Sequence, residues 1–175
     1  MRTRTIPLTL LTLVLAGCTS DAPTAASRPT EVLAARTAGA VIERPWKGRC
    51  EVETAITEFG STGPTKFHQT GICQLAHLGR TTVVTDETLL PETGNYGVTS
   101  TFTAANGDEL HTTGVVSAGP IAPDGTLTVV GIYTAVGGTG RFVGASGTAV
   151  FDETAYLTDR GTAAGSYTLE GRLSY

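Results

Sequence analysis

From residue 46 to residue 175 the sequence alternates apolar and polar side chains with a period of two, in eight short runs broken by turn residues. That period suits strands with one face buried and one face wet. The runs are 50–59, 65–75, 80–90, 96–104, 109–117, 126–136, 148–157 and 163–175. Clusters at 60–64, 91–94, 106–108, 119–125 and 159–161 supply the turns, with Asn106-Gly107 offering the positive φ of a tight hairpin. No long amphipathic helical period interrupts them, so the chain predicts an antiparallel meander.

Two runs say more. In the last, Tyr167, Leu169, Leu173 and Tyr175 share one face, while Ser166, Thr168, Glu170 and Arg172 share the other. That is a half-buried strand. In the sixth, Leu127, Val129 and Tyr133 lie on one face and Val130, Ile132 and Val136 on the other. Apolar on both sides, it is expected to be a central strand. Closing eight strands into a barrel leaves no edge and a lumen wide enough for packed side chains or one small ligand. A two-sheet β-sandwich is the alternative.

The N-terminus has a different character. Arg2 and Arg4 precede an apolar run, Ile6 to Leu15, too short to span a bilayer. It ends in Leu15-Ala16-Gly17-Cys18, which resembles a bacterial lipobox. The expected organisation is a signal peptide at 1–17, a lipidated Cys18 opening a flexible Thr/Ala/Ser/Pro-rich tether at 18–45, and a barrel domain at 46–175. An ordinary secretory signal and a short apolar anchor are the plainer readings. The resemblance implies a membrane as partner, reached through Cys18, and a place on the extracytoplasmic side of a bacterial envelope. The formal charge of −4 becomes −6 without Arg2 and Arg4, and Lys47 and Lys66 are the only lysines. Such a chain has no general attraction for nucleic acid.

An exported chain meets an oxidising compartment. With Cys18 assigned to the lipid, Cys50 and Cys73 form an even pair and are read as a disulfide. Two buried free thiols, or metal ligation, are the other readings. With the first strand starting at Cys50 and the second ending near Cys73, the bridge would staple the open end of a hairpin.

The segment from Gly137 to Gly147, Gly-Gly-Thr-Gly-Arg-Phe-Val-Gly-Ala-Ser-Gly, stands between two strands. It lacks the lysine-serine pair of a P-loop and the helix of a dinucleotide fingerprint. It reads as a strand-to-strand corner, with Phe142 as a plug for one barrel end. Arg141 is expected to bond carbonyls or a carboxylate nearby; gripping an anionic ligand is its functional alternative.

Three pieces in order carry a family resemblance: His77-Leu-Gly-Arg80, Thr103-Ala-Ala-Asn-Gly-Asp-Glu-Leu110 and the glycine segment. Together they resemble bacterial secreted proteins related to the allene oxide cyclase-like barrels, and the last is similar to the glycine-rich turn of plant allene oxide cyclases and dirigent proteins. The resemblance covers about residues 50–175. It implies an eight-stranded antiparallel, calycin-like barrel. The plant enzymes cyclise a fatty-acid epoxide and dirigent proteins steer radical coupling, but their catalytic constellation cannot be matched residue by residue here, so the resemblance implies a fold and no reaction.

Candidate site residues are few. Asp86-Glu87 and Asp152-Glu153 are adjacent pairs on strands, so the members of each point to opposite faces. Asp152 shares parity with Val150 and Tyr156, and Glu153 with Phe151 and Leu157. An inward carboxylate has a raised pKa and suits acid–base work; a solvated rim residue or a partner for an arginine is the plainer reading for either pair. Tyr133 is a candidate for ligand contact or packing, and His77 for ordering its loop. His68, His77 and His111 are scattered, so no metal site is expected. No cofactor motif and no nucleophile elbow appear. Trp46 is expected to plug a barrel end.

Three function classes follow. The leading one is a barrel that binds a small apolar or amphipathic molecule or an envelope partner. The second is a cyclase or isomerase acting on a lipid-like substrate, with an inward carboxylate as acid and base. The third is an interaction module with a filled core. An apolar cavity open at one end favours the first. A desolvated carboxylate beside a second polar group in that cavity favours the second.

Overall fold

A computed structural model describes residues 42–61, 63–159 and 161–175. The signal peptide, Cys18 and most of the expected tether lie outside the described residues. Eight antiparallel strands form one closed barrel in which each pairs with its sequence neighbours and β1 closes on β8. They are β1 (Glu43–Gly60), β2 (Gly63–Leu75), β3 (Gly79–Leu90), β4 (Asn95–Ala104), β5 (Glu109–Ala118), β6 (Thr126–Gly138), β7 (Ser146–Asp159) and β8 (Thr162–Ser174). This is the architecture the resemblance implied, and the sandwich is not formed.

The sequence places β1 too late. It begins at Glu43, because Glu43, Arg44 and Pro45 already pair with Ser174, Leu173 and Arg172 of β8. Pairing with β2 starts only at Gly48. Pro45 therefore sits where β1 has one neighbour, so its missing N–H costs no bond on the open side.

β6 corrects a second expectation. In a closed barrel every strand has two neighbours, and among the described residues no second layer covers the outside. The outer face of β6 therefore stays in water: Val130, Ile132 and Val136 are all exposed, while Tyr133 and Ala135 are buried inside.

The antiparallel order gives the barrel two different ends. At one end lie Glu43, the C-terminus and the β2–β3, β4–β5 and β6–β7 turns. The lumen is packed solid there. Trp46 stands edge-on to Phe102 at 6.0 Å, and Phe102 edge-on to Tyr133 at 5.6 Å. Trp46 is thus a residue of β1 itself, within the core. A short 3₁₀ turn, Gly140–Phe142, tucks Phe142 beneath the barrel, where its ring meets Tyr175 at 4.9 Å. Phe142 is fully buried.

Two glycines make this corner. Gly140 has φ +53°, and a Cβ there would strike the Asp108 carboxylate. Gly147 has φ +145°, and a Cβ there would strike the Arg172 carbonyl. Both positions thus combine left-handed backbone with close approach. Cys50 lies opposite Cys73 in the β1–β2 register, and the two form a disulfide near the hairpin's open end, as the sequence predicts.

Candidate functional site

The other end of the barrel is open. The β1–β2, β3–β4, β5–β6 and β7–β8 turns surround a cavity of about 450 Å³, a size that suits a small organic molecule. Its wall is mostly apolar, with Ile56, Phe67, Leu127, Val129 and Ala163 facing inward. Tyr96 and Phe67 meet edge to face at 5.2 Å on one side. Strand alternation builds this wall, each second residue of β1, β2, β6 and β8 turning inward.

Two carboxylates interrupt the apolar wall. Glu87 of β3 and Glu153 of β7 both line the cavity. Glu153 is only 5% exposed. Beside it, Gln69 Nε2 donates to Thr54 Oγ1 at 3.1 Å and reaches both Glu153 carboxylate oxygens at 3.4 Å. No basic side chain is among the described residues of the lining. Burial therefore meets little compensation. It pushes the Glu87 carboxyl up to about 7, and the negative charge of Glu153 adds to the rise. Glu153 is raised as well, again by burial, with the Gln69 hydrogen bond working against it. Near neutrality the cavity thus holds a carboxyl that both gives and takes a proton.

Below this pair the lumen turns polar before it turns solid. Thr85 and Ser100 hydroxyls bond at 2.8 Å, both buried. The Tyr133 hydroxyl joins Ser100, Thr85 and Tyr167, and burial pushes its pKa up to about 12. Tyr167 stacks obliquely on Phe151 and reaches Cys73 Sγ at 3.9 Å. Tyr133 is thus part of the layer under the cavity floor, outside the lining.

The remaining candidates lie elsewhere. Asp152 is on the outer face, where it pairs in register with Val130; alternation by one residue puts Glu153 inside instead. Asp86 is likewise outside, accepting a bond from His68 Nδ1 at 2.8 Å. Arg141 is at the closed end. Its guanidinium covers the Phe142 ring at 4.8 Å and its Nε stands 3.7 Å from Asp108 Oδ2. His77 occupies the β2–β3 turn at that same end, with φ +64°. The inward pair, Glu87 and Glu153, was visible in the sequence only as one half of each acidic doublet. Gln69, which lies beside Glu153 from β2, carried no signal at all.

No protein-family model matches the sequence. No curated protein matches it either. Among solved structures, a pterocarpan synthase dirigent protein is similar, at 15% identity over 76% of this chain and 86% of that one, with a TM-score of 0.48. Nothing about ligand or reaction follows from that likeness.

Proposed function

We infer that this chain is an envelope protein, anchored through a lipidated Cys18, whose barrel binds a small amphipathic molecule. The observation that carries the reading is the cavity itself. An apolar wall open at one end suits an apolar body, and the Glu87–Glu153 pair suits one polar group on it. Buried carboxyls without a basic partner cost stability, and a fold that keeps two of them in a cavity is consistent with their having a ligand to meet. Native mass spectrometry of protein purified from its own cells tests this. A co-purified small molecule, lost on Glu153→Gln, is expected; an empty protein under gentle conditions counts against it. Intact mass measurement of the membrane-extracted chain tests the anchor: acyl groups on an N-terminal Cys18, absent from Cys18→Ala, are expected.

A second reading has its own observation. A carboxyl poised near pH 7, with a Gln-held second carboxyl in the same cavity, suits proton transfer to and from a lipid-like substrate during isomerisation or cyclisation. Under that reading, Glu87→Gln leaves binding in place and stops turnover.

A further inference from the structure

The mouth of the cavity is as distinctive as its wall. Three of the four turns at that end carry large apolar side chains in water. Phe59 is 62% exposed at the end of β1, Ile121 59% in the β5–β6 loop, and Leu157 45% on β7. All three also line the cavity, so the apolar part of its wall extends onto the rim. Tyr156, 55% exposed, adds an aromatic ring on the outside of the same rim. At the closed end Val143 and Ile42 are exposed too, but they border no described cavity.

The rim is held in shape. Ile56 N–H donates to the Gly161 carbonyl at 2.7 Å, Leu157 N–H to that of Gly125 at 3.1 Å, and Gly125 N–H to that of Ala122 at 2.9 Å. These bonds tie the β7–β8 turn to β1 and the β5–β6 loop to β7, so that Ile121 and Leu157 are presented side by side. A contiguous exposed apolar surface of this kind is built to meet something.

Three arguments select a lipid surface. A protein knob filling the mouth would stop the cavity and strand Glu87 and Glu153, whereas a bilayer covers the rim and leaves the lumen open to it. Among the described residues of this end the charges form no headgroup-seeking basic patch: Lys66 is paired with Glu58 at 2.5 Å, and Glu92 and Asp124 are acidic. Apolar insertion with an aromatic at the interface is the contact these residues offer, and it suits neutral lipid. Finally, β1 starts at the far end of the barrel, 25 residues after Cys18. That length reaches up to about 80 Å, whereas β1 rises about 60 Å along its own tilted axis. A chain held at Cys18 can therefore still turn its mouth to the same membrane.

We propose that the ring of Phe59, Ile121, Tyr156 and Leu157 docks the open end of the barrel onto a neutral phospholipid surface. The docking needs neither the lipid on Cys18 nor any particular cavity ligand.

The test uses the full chain carrying Cys18→Ser, so that no acyl group contributes. A single new thiol at Ile121→Cys, or at Asn106→Cys at the closed end, takes an environment-sensitive fluorophore, since Cys50 and Cys73 are bridged. Each protein is mixed with phosphatidylcholine vesicles containing brominated acyl chains. A blue shift and quenching at position 121 but not at 106 is expected. Equal responses at both positions, or none at 121, overturn the proposal. In unlabelled protein, Phe59→Ser with Leu157→Ser should weaken vesicle partitioning about tenfold or more with the melting temperature unchanged. Unchanged partitioning of that folded variant also overturns it. Native mass spectrometry of the parent, which carries none of these substitutions, reads the cavity-bound molecule by itself, so the docking and the binding reading fall separately.

Discussion

Glu153 raises the proton affinity of Glu87 across the barrel cavity, on top of a larger rise from burial alone. The two side chains come from strands that do not touch, β3 and β7, and only closure of the barrel brings them into one cavity. This pair has consequences for stability that do not depend on any ligand.

Glu87 titrates near 7 in the folded protein, against an ordinary value of 4.5. Between those values the folded state holds the proton that the unfolded chain has released. Stability is therefore fully present below pH 4.5, falls as pH rises through 7, and levels off above. The loss amounts to at most about 3 kcal/mol. Glu87→Gln should match the parent near pH 4.5 and exceed it by about 2 kcal/mol at pH 8. Urea unfolding at the two pH values measures this. An equal offset at both would show that Glu87 titrates normally.

Filling the cavity separates binding from folding. Val129 faces the lumen from β6 and is only half-buried there, so Val129→Trp has open space to occupy. The variant should melt within a few degrees of the parent and should lose whatever small molecule copurifies with the parent. Retention of that molecule by the folded variant would place the binding site somewhere else.

Much of this barrel was legible because its signals are local. Period-two alternation and turn residues depend on neighbours in the chain, so seven of the eight strands fall within two residues of where the sequence puts them, and the Cys50–Cys73 pairing follows from a single hairpin. What the sequence concealed depends on closure. The apolar outer face of β6 reads as a buried face until the barrel is seen to have no second layer. Asp152 and Glu153 are equal candidates until register decides which one turns inward. Gln69 meets Glu153 across 84 positions, a contact no local pattern announces. Arg141 drew attention as the one charged residue in a glycine-rich corner, and it lies at the end of the barrel away from the cavity.

The disulfide should contribute by restricting the unfolded chain. It closes a loop with a sequence separation of 23, for which the chain-entropy model gives about 3 kcal/mol. Cys50→Ser with Cys73→Ser should lower the unfolding free energy by about that amount, with some further loss because both sulfurs are fully buried. Peptide mapping with and without reductant shows the linked pair directly, and free thiols at both positions would refute it.

Arg141 and Phe142 offer the cleanest contrast between structure and site, because they are adjacent and both far from the cavity. Phe142 is completely buried and packs on Tyr175, so Phe142→Ala should cost about 3–5 kcal/mol. Arg141 is partly exposed and its ion pair with Asp108 is long, so Arg141→Ala should cost no more than about 1 kcal/mol. Neither change should alter the affinity of a cavity ligand while the protein is folded. Calorimetry of both variants beside the parent measures the stabilities, and ligand titration below their melting temperatures measures the rest. Lost binding in Arg141→Ala with an unchanged melt would move the functional site to the glycine-rich corner.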